Sequence, residues 1–284
     1  MIVLADVMKV VAGNASPMLA LRIAKTLNLR LAKTTFKKFP DGEIYVKVED
    51  FDDTNVVVQS LNCNEDVVSL MLLFDALNDT EVVAVVPYMG YARQDKAFED
   101  GEAISIRAIA RLLESYASKV VTVNIHSKDA ASHFSKLIDL DAMPIIGNYF
   151  KEQDVVMLSP DFGSYERVKV AAKAANCEFD YLEKRRIDAE TVEIAPKNLD
   201  VEGKDVLIVD DIISTGGTIV EATKILLKNG AKSVKAACVH AVLANYALNK
   251  LYNAGVTEVI ATDTVERVVS KISVAGLIAD RLTS

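Results

Sequence analysis

The chain has 284 residues, of which 51% are hydrophobic and 25% charged, and its formal net charge is −8. This composition is typical of a soluble globular protein, and the acidic balance argues against broad electrostatic binding to nucleic acid or to anionic membranes. It leaves small phosphorylated ligands open, because a local group of basic residues can hold a phosphate on an acidic protein.

The cysteines and the first residues bear on the compartment. Cys63, Cys177 and Cys238 form no CxxC pair and are odd in number, which favours free thiols in a reducing compartment over a disulfide framework. The start, MIVLADVMKVVAGN, lacks the basic region and cleavage pattern of a signal peptide. No run approaches the roughly 18 apolar residues of a transmembrane helix. The sequence therefore predicts a cytoplasmic protein.

Short β-branched runs alternate with amphipathic helical patterns along the chain. The runs predict strands at residues 10–11, 56–58, 82–86, 120–125, 155–158, 206–209, 234–239 and 258–261. The helical patterns cover residues 16–29, 104–117, 165–176 and 219–231, the last with Gly230 where a helix C-cap is expected. This alternation predicts an α/β fold with parallel sheets covered by helices on both faces.

The series divides around Met143-Pro144, which predicts two similar domains, 1–143 and 144–284. No low-complexity or proline-rich linker marks the join. Ligands of open parallel sheets bind beyond the carboxyl ends of the strands, so the residues that follow each run are the candidates for a functional site.

The segment VLIVDDIISTGGTI, residues 206–219, places Asp210 and Asp211 side by side where a strand is predicted to end. The loop after them supplies hydroxyls and backbone N–H groups at the start of a helix, where glycines permit close approach and the helix dipole favours an anion. That loop consists of Ser214, Thr215, Gly216, Gly217 and Thr218. A phosphate at the loop and a diol at the carboxylates describe ribose 5-phosphate. The alternative is a solvated corner with a Ser or Thr cap.

Two acids followed by a TGGT-type loop resemble the phosphoribosyl pyrophosphate (PRPP) motif of the type I phosphoribosyltransferase fold. Proteins with that motif either consume PRPP or, as ribose-phosphate pyrophosphokinases, make it. The segment YARQDK, residues 91–96, resembles the ATP-site signature of the second family, and ordinary phosphoribosyltransferases lack it. The resemblance implies that ATP is bound by Arg93, Gln94, Asp95 and Lys96. Without it, these residues would be interpreted as a charged surface loop.

Two more segments of the first half fit the same family. In KFPDGEIYVKVED, residues 38–50, the resemblance implies that a neighbouring subunit contributes to the adenine end of the ATP site, so that the active site needs a homo-oligomer. The residues concerned are Phe39, Asp41, Gly42 and Glu43. PDGE alone is a routine turn between strands. In VNIHSKD, residues 123–129, His126 is implied to contact ATP phosphate and Mg²⁺. His133 matches no motif and is expected at the surface.

Two segments of the second half complete the resemblance. In MLSPDFGSYERV, residues 157–168, Asp161 is implied as a second metal-linked acid, although Gly163-Ser164 stands where the family usually has two glycines. In LEKRRIDAETVEI, residues 182–194, Lys184 and Arg186 are implied as catalytic residues on a flexible loop, with Arg186 also near ribose 5-phosphate. A basic triplet alone is most often a solvated patch.

The resemblance implies the reaction of ATP and ribose 5-phosphate to AMP and PRPP, with Mg²⁺ as cofactor and no nucleic-acid or membrane partner. Two alternatives stay open at this point: a phosphoribosyltransferase that consumes PRPP, and a non-catalytic relative such as a regulatory subunit. Formation of AMP without any nucleobase would separate the main hypothesis from both.

Overall fold

The computed structural model describes residues 8–186, 192–197 and 199–284, with the backbone alone for 184–186 and 192–195. The chain divides into two compact units. The first runs to Asp141 and includes 264–266 and 273–284, and the second comprises 142–263 and 267–272. No helix among the described residues is long and apolar enough to cross a membrane.

The first unit is built on a parallel sheet. Its elements are β1 (Met8–Ala12), α1 (Pro17–Leu27), β2 (Lys33–Lys38), β3 (Ile44–Glu49), β4 (Thr54–Val58), α2 (Asn64–Ala76), β5 (Glu81–Val86), α3 (Ser105–Tyr116), β6 (Lys119–Val123), α4 (Lys128–Ser132), β7 (Leu137–Leu140) and the C-terminal α9 (Ala275–Thr283). The sheet order is β1-β4-β5-β6-β7, while β2 and β3 form a separate antiparallel hairpin. Val56, Val57 and Val58 on β4 are fully buried, as expected of a strand covered on both faces.

The second unit has a larger, mixed sheet. Its elements are α5 (Met143–Tyr149), β8 (Val156–Ser159), α6 (Tyr165–Ala175), β9 (Phe179–Arg186), β10 (Val192–Pro196), β11 (Asp205–Ile213), α7 (Gly217–Lys228), β12 (Ser233–Ala241), α8 (Ala247–Asn253), β13 (Val256–Thr262) and β14 (Ser270–Ile272). The order is β10-β9-β8-β11-β12-β13-β14, and β10 alone among these runs antiparallel to its neighbour. Central β11 and β12 contribute Leu207, Ile208 and Ala236 to the core.

The predicted α/β fold with parallel sheets is confirmed. Each of the eight predicted runs overlaps a strand, and each of the four helical patterns overlaps a helix. The last of these helices, α7, begins at Gly217 rather than at Ile219. Gly230 lies just past its C-cap with φ of 83°, a left-handed conformation in which glycine has no Cβ to clash.

The C-terminal segment returns to the first unit, whereas the sequence predicts one domain over all of 144–284. The Glu266 Oε1 atom accepts a hydrogen bond from the Leu19 N–H at 2.7 Å, near the start of α1. The Ser60 hydroxyl donates to the Thr264 carbonyl at 2.6 Å, and α9 packs against α1. These contacts join residues more than 200 positions apart, so no local sequence pattern reports them.

Candidate active site

The acid pair lies inside strand β11, beyond the point where one neighbouring strand stops. Pairing with β8 ends at Ile208↔Leu158, whereas pairing with β12 continues to Ile213↔Ala241. The predicted strand end at Val209 was therefore wrong, because backbone pairing with β12 holds the next residues extended. Asp210 and Asp211 sit at the carboxyl-terminal part of the strand, where an open sheet binds its ligands.

Hydrogen-bond donors and one cation offset the repulsion between the two adjacent carboxylates. The Ser164 hydroxyl donates to Asp210 Oδ1 at 2.7 Å, and the Asp211 N–H donates to the same oxygen at 2.9 Å. Arg167, one turn into α6, forms a salt bridge from Nη1 to Asp211 Oδ2 at 3.0 Å. Asp211 is only 4% exposed, so this cation provides the charge that burial of its carboxylate requires. No sequence motif indicated a role for Arg167.

The environment of Asp210 is unusual for a carboxyl group. Burial raises its pKa from 3.8 to about 7, the neighbouring Asp211 charge adds to the rise, and the Ser164 hydrogen bond opposes it. Desolvation and a like charge both disfavour the ionised form. The pKa of Asp210 is therefore raised, and any ligand that supplies hydrogen-bond donors or positive charge will favour its carboxylate.

The loop after the acids ends at the uncapped start of a helix. Gly216 is the N-cap of α7 with φ of 77°, and among the described residues no side chain caps this helix. A Cβ added to Gly217 would meet nothing within 4 Å, and Thr215, Gly217 and Thr218 are all exposed. Because the first N–H groups of a helix lack intrahelical acceptors, this end can receive an anion from solvent.

Asp161 and Asp210 share Ser164 as a hydrogen-bond partner. The Ser164 N–H donates to Asp161 Oδ1 at 3.1 Å, and the Ser159 hydroxyl donates to the Asp161 carbonyl at 2.6 Å. A cavity of about 650 Å³ connects this turn with the start of α7. Its lining includes Asp161, Phe162, Tyr181, Lys197 and Thr218. Two segments selected from the sequence thus face one cavity of the second unit.

The basic triplet has a more regular backbone than expected. The resemblance placed Lys184 and Arg186 on a flexible loop, but the structure includes residues 184–186 in strand β9, where they pair with β10 from Ile194 to Val192. This antiparallel ladder explains the extended backbone. The side chains of Lys184, Arg185 and Arg186 lie outside the described part of the molecule, so their predicted roles stay predictions.

In the first unit, protein contacts hold the middle of the YARQDK segment. The Ser105 hydroxyl donates to Gln94 Oε1 at 2.7 Å. Asp95 Oδ2 accepts from the Ser127 hydroxyl, and the Asp95 carbonyl oxygen lies 2.9 Å from His133 Nε2. The half-buried position of His133 corrects its expected place as an unengaged surface residue. No spacing rule in the sequence could indicate a contact across 38 residues.

The basic residues of the same segment face solvent. Arg93 and Lys96 are both exposed, and Lys96 Nζ lies 5.6 Å from the centre of the Phe98 ring. His126 is half-buried and follows β6 after Asn124, whose φ is 41°. The segment therefore presents two cations while Gln94 and Asp95 attach it to the rest of the unit.

The predicted adenine-contact segment forms the exposed tip of the β2–β3 hairpin. The Phe39 N–H donates to the Glu43 carbonyl at 2.8 Å, and the Glu43 N–H donates to Asp41 Oδ1 at 3.1 Å. Gly42 has φ of 99°, which explains glycine at that position. Phe39 is 50% exposed. The tip is a tight turn, and its aromatic ring is available to a partner.

Comparisons with known proteins cover nearly the whole chain. Residues 8–116 match the family model described as the N-terminal domain of ribose phosphate pyrophosphokinase, and residues 129–270 match the phosphoribosyl transferase domain. "Ribose-phosphate pyrophosphokinase 2" of Archaeoglobus fulgidus is 62% identical over 97% of this chain and 100% of its own length. "Ribose-phosphate pyrophosphokinase" of Methanosarcina acetivorans is 43% identical over 97% of this chain and 99% of its own length.

The chain belongs to the ribose-phosphate pyrophosphokinase family. A solved structure agrees: phosphoribosylpyrophosphate synthetase from Mycobacterium smegmatis superimposes with a TM-score of 0.82 at 28% identity over 98% of both chains. The predicted family, the enzyme class of diphosphate transfer and the phosphoribosyltransferase type of fold are confirmed. The main hypothesis is supported over a phosphoribosyltransferase that consumes PRPP and over a non-catalytic relative.

The pyrophosphokinase family implies a bound Mg²⁺, a cation that prefers oxygen ligands. Among the described residues, no three His, Cys, Asp or Glu side chains are grouped so that they could hold a metal unaided. Mg²⁺ is commonly held by one or two carboxylates together with substrate phosphates and water. The exposed carboxylate of Asp161 fits that pattern. His126 belongs to the first unit and Asp161 to the second.

Proposed function

We propose that the protein transfers the pyrophosphoryl group of ATP to the anomeric hydroxyl of ribose 5-phosphate, giving AMP and PRPP. The observation that carries this proposal is the acid pair on β11 beside the uncapped start of α7, in a chain that matches ribose-phosphate pyrophosphokinases over nearly its whole length. The anomeric oxygen bonds to the β-phosphorus, the bond between that phosphorus and the oxygen bridging to AMP breaks, and the hydroxyl proton passes to solvent.

The loop 214–218 is the proposed site of the 5-phosphate. The exposed backbone of Gly217 and the hydroxyls of Thr215 and Thr218 stand at the helix start. The N-terminal end of a helix carries partial positive charge and unpaired N–H donors. A later segment of the same chain supports this loop, since the Ala244 N–H donates to the Ser214 carbonyl at 3.0 Å.

Asp210 and Asp211 are proposed to accept hydrogen bonds from the ribose hydroxyls. Asp210 is the more accessible of the two, and we assign it the larger part of ribose binding. Asp211 is tied to Arg167 and helps to fix the orientation of its neighbour. With the phosphate held at one end and the diol at the other, the anomeric oxygen would be presented in a defined direction, as an in-line displacement requires.

ATP is assigned to residues of the first unit and of a neighbouring subunit. The exposed Arg93 and Lys96 can pair with the polyphosphate, and arginine can do so with two parallel hydrogen bonds. Gln94, Asp95 and His126 complete the proposed ATP-binding set. The hairpin tip with Phe39, Asp41, Gly42 and Glu43 would contact adenine in the adjoining subunit, so we propose a homo-oligomer as the active form.

Asp161 in the second unit is proposed to assist bound Mg²⁺, and so, separately, is His126 in the first unit. The cation would screen the charge of the ATP phosphates. Imidazole is an unusual contact for this cation, so His126 is expected to act through a water molecule. Lys184 and Arg186 are proposed to place positive charge on the transferred group in the transition state.

The test is an assay of AMP formation by the purified protein with ATP, Mg²⁺ and ribose 5-phosphate, and with no nucleobase. AMP and PRPP in equal amounts are the expected products. Absence of AMP, together with PRPP consumption once a nucleobase is added, would instead support a phosphoribosyltransferase. Failure of both reactions would leave the chain as a non-catalytic relative.

A further inference from the structure

Ser164 touches both functional segments of the second unit. It is the N-cap residue of α6 and only 7% exposed. Its N–H donates to Asp161 Oδ1 at 3.1 Å, and its hydroxyl donates to Asp210 Oδ1 at 2.7 Å. One buried residue therefore joins the turn after β8 to the acid pair on β11.

The hydroxyl fixes the plane of the Asp210 carboxylate. Asp210 Oδ1 accepts two hydrogen bonds, from Ser164 Oγ and from the Asp211 N–H at 2.9 Å. A carboxylate that is held through one oxygen by two donors from different directions has little freedom to rotate. Hydrogen bonds to charged groups are also among the stronger ones in proteins.

The backbone at this position does not require glycine. Ser164 has φ of −92° and ψ of 1°, in the sparsely allowed bridge region that residues other than glycine also occupy in turns. The resemblance found in the sequence implies a second glycine here, and glycine has neither Cβ nor hydroxyl. The serine thus adds a hydrogen-bond donor to the turn at a position where φ is not positive.

We infer that Ser164 is a positioning residue that orients Asp210 for the ribose hydroxyls of the substrate. This inference rests on the proposed assignment of ribose 5-phosphate to the acid pair. It is supported by Arg167 on the same helix, which holds Asp211 at 3.0 Å. The start of α6 then holds both acids, one by a hydroxyl and the other by a guanidinium group.

The test compares Ser164→Ala and Ser164→Gly with wild type in steady-state assays with each substrate varied in turn. Both variants lack the hydroxyl, but only alanine keeps the Cβ. Both should raise KM for ribose 5-phosphate roughly threefold to tenfold, the effect of one ordinary net hydrogen bond, because Ser164 acts on the sugar only through Asp210. KM for ATP should stay within about twofold.

A matched control is Thr223→Val in α7. It removes another buried hydroxyl of the same unit, one that donates to the Ile219 carbonyl at 2.7 Å, and it should leave KM for ribose 5-phosphate unchanged. Thermal melting of all variants checks that they are folded. An unchanged KM for ribose 5-phosphate in either Ser164 variant, or an equal rise in KM for both substrates, would overturn the inference.

Two different results distinguish a failure of the Ser164 role from a failure of the proposed function. If wild type forms no AMP from ATP and ribose 5-phosphate, the proposed function fails, whatever Ser164 does. If wild type is active and Ser164→Ala and Ser164→Gly bind ribose 5-phosphate as well as it does, the positioning role alone is wrong.

Discussion

Two aspartates, one in each unit, accept a hydrogen bond from a serine, yet their pKa values move in opposite directions. In the first unit the Ser127 hydroxyl lowers the pKa of Asp95. In the second, Ser164 makes the equivalent contact with Asp210, but burial and the Asp211 charge raise that pKa to about 7. A single donor therefore sets the direction of the pKa shift at a solvated carboxyl group and is outweighed at a desolvated one beside another acid.

The difference suits the two proposed tasks. Asp95 stays ionised and anchors a segment whose cations, Arg93 and Lys96, face solvent. Burial and the Asp211 charge raise the pKa of Asp210, so its ionised form depends on the hydrogen-bond donors around it, and sugar hydroxyls would favour the carboxylate. The first site keeps a constant charge, whereas the charge of the second responds to its ligand.

The largest effect on activity is expected from Lys184 rather than from Asp95 or Asp210. Neither aspartate can stabilise the negative charge of the transferred group. Lys184→Ala should lower kcat by roughly 10²- to 10³-fold, the usual cost of removing one transition-state donor. KM for ribose 5-phosphate should change much less. The control is Lys204→Met, which removes a half-buried lysine paired with Glu178 at 2.8 Å. A kcat unchanged in Lys184→Ala would remove Lys184 from the mechanism.

Exchange of each aspartate for alanine should separate the two sites directly. Asp210→Ala should raise KM for ribose 5-phosphate by about tenfold or more, since it removes charged acceptors of the sugar hydroxyls. Asp95→Ala should leave that KM unchanged. Steady-state kinetics with each substrate varied provides the measurement. An effect of Asp210→Ala on ATP alone would mean that the acid pair belongs to a different pocket.

The raised pKa of Asp210 predicts a pH-dependent stability difference between wild type and Asp210→Asn. Its folded-state pKa of about 7 lies above the ordinary 3.8, so folding favours the protonated form. The resulting stabilisation is complete below about pH 4 and is lost as the pH rises through 7. The Tm of wild type should therefore fall relative to that of Asp210→Asn between pH 5 and pH 8. Parallel Tm curves of the two proteins over this range would contradict the buried, ligand-responsive character of Asp210.

The smallest effects are expected where the YARQDK segment is anchored. Ser127→Ala and His133→Phe each remove one contact to Asp95, and each should raise KM for ATP by roughly two- to threefold, because a single hydrogen bond in a solvated setting contributes little. Ser132→Ala, whose hydroxyl bonds within its own helix to Asp129, is the matched control. A rise in KM for ribose 5-phosphate instead would show that this anchoring does not act on the ATP segment.

Local patterns were sufficient for eight of the strands and four of the helices that the structure describes. β-Branched runs and 3.6-residue periodicity are properties of a few neighbouring residues, and the order of the motifs indicated the family. The contacts of Arg167 and His133, and the length of β11, depend on tertiary pairing. Arg167 lies 44 positions before Asp211, and the extension of β11 to Ile213 depends on β12. Residues that meet only through tertiary structure have no fixed spacing in the sequence.

The hydrogen bond between Leu19 and Glu266 has a consequence for the newly made chain. During synthesis, the first 141 residues emerge from the ribosomal exit tunnel long before Glu266 and α9 do. Until then α1 lacks the acidic side chain at its start and the helix that packs against it. The unit synthesised first is thus completed last, and we expect nascent chains that stop before residue 264 to remain open to proteases and chaperones.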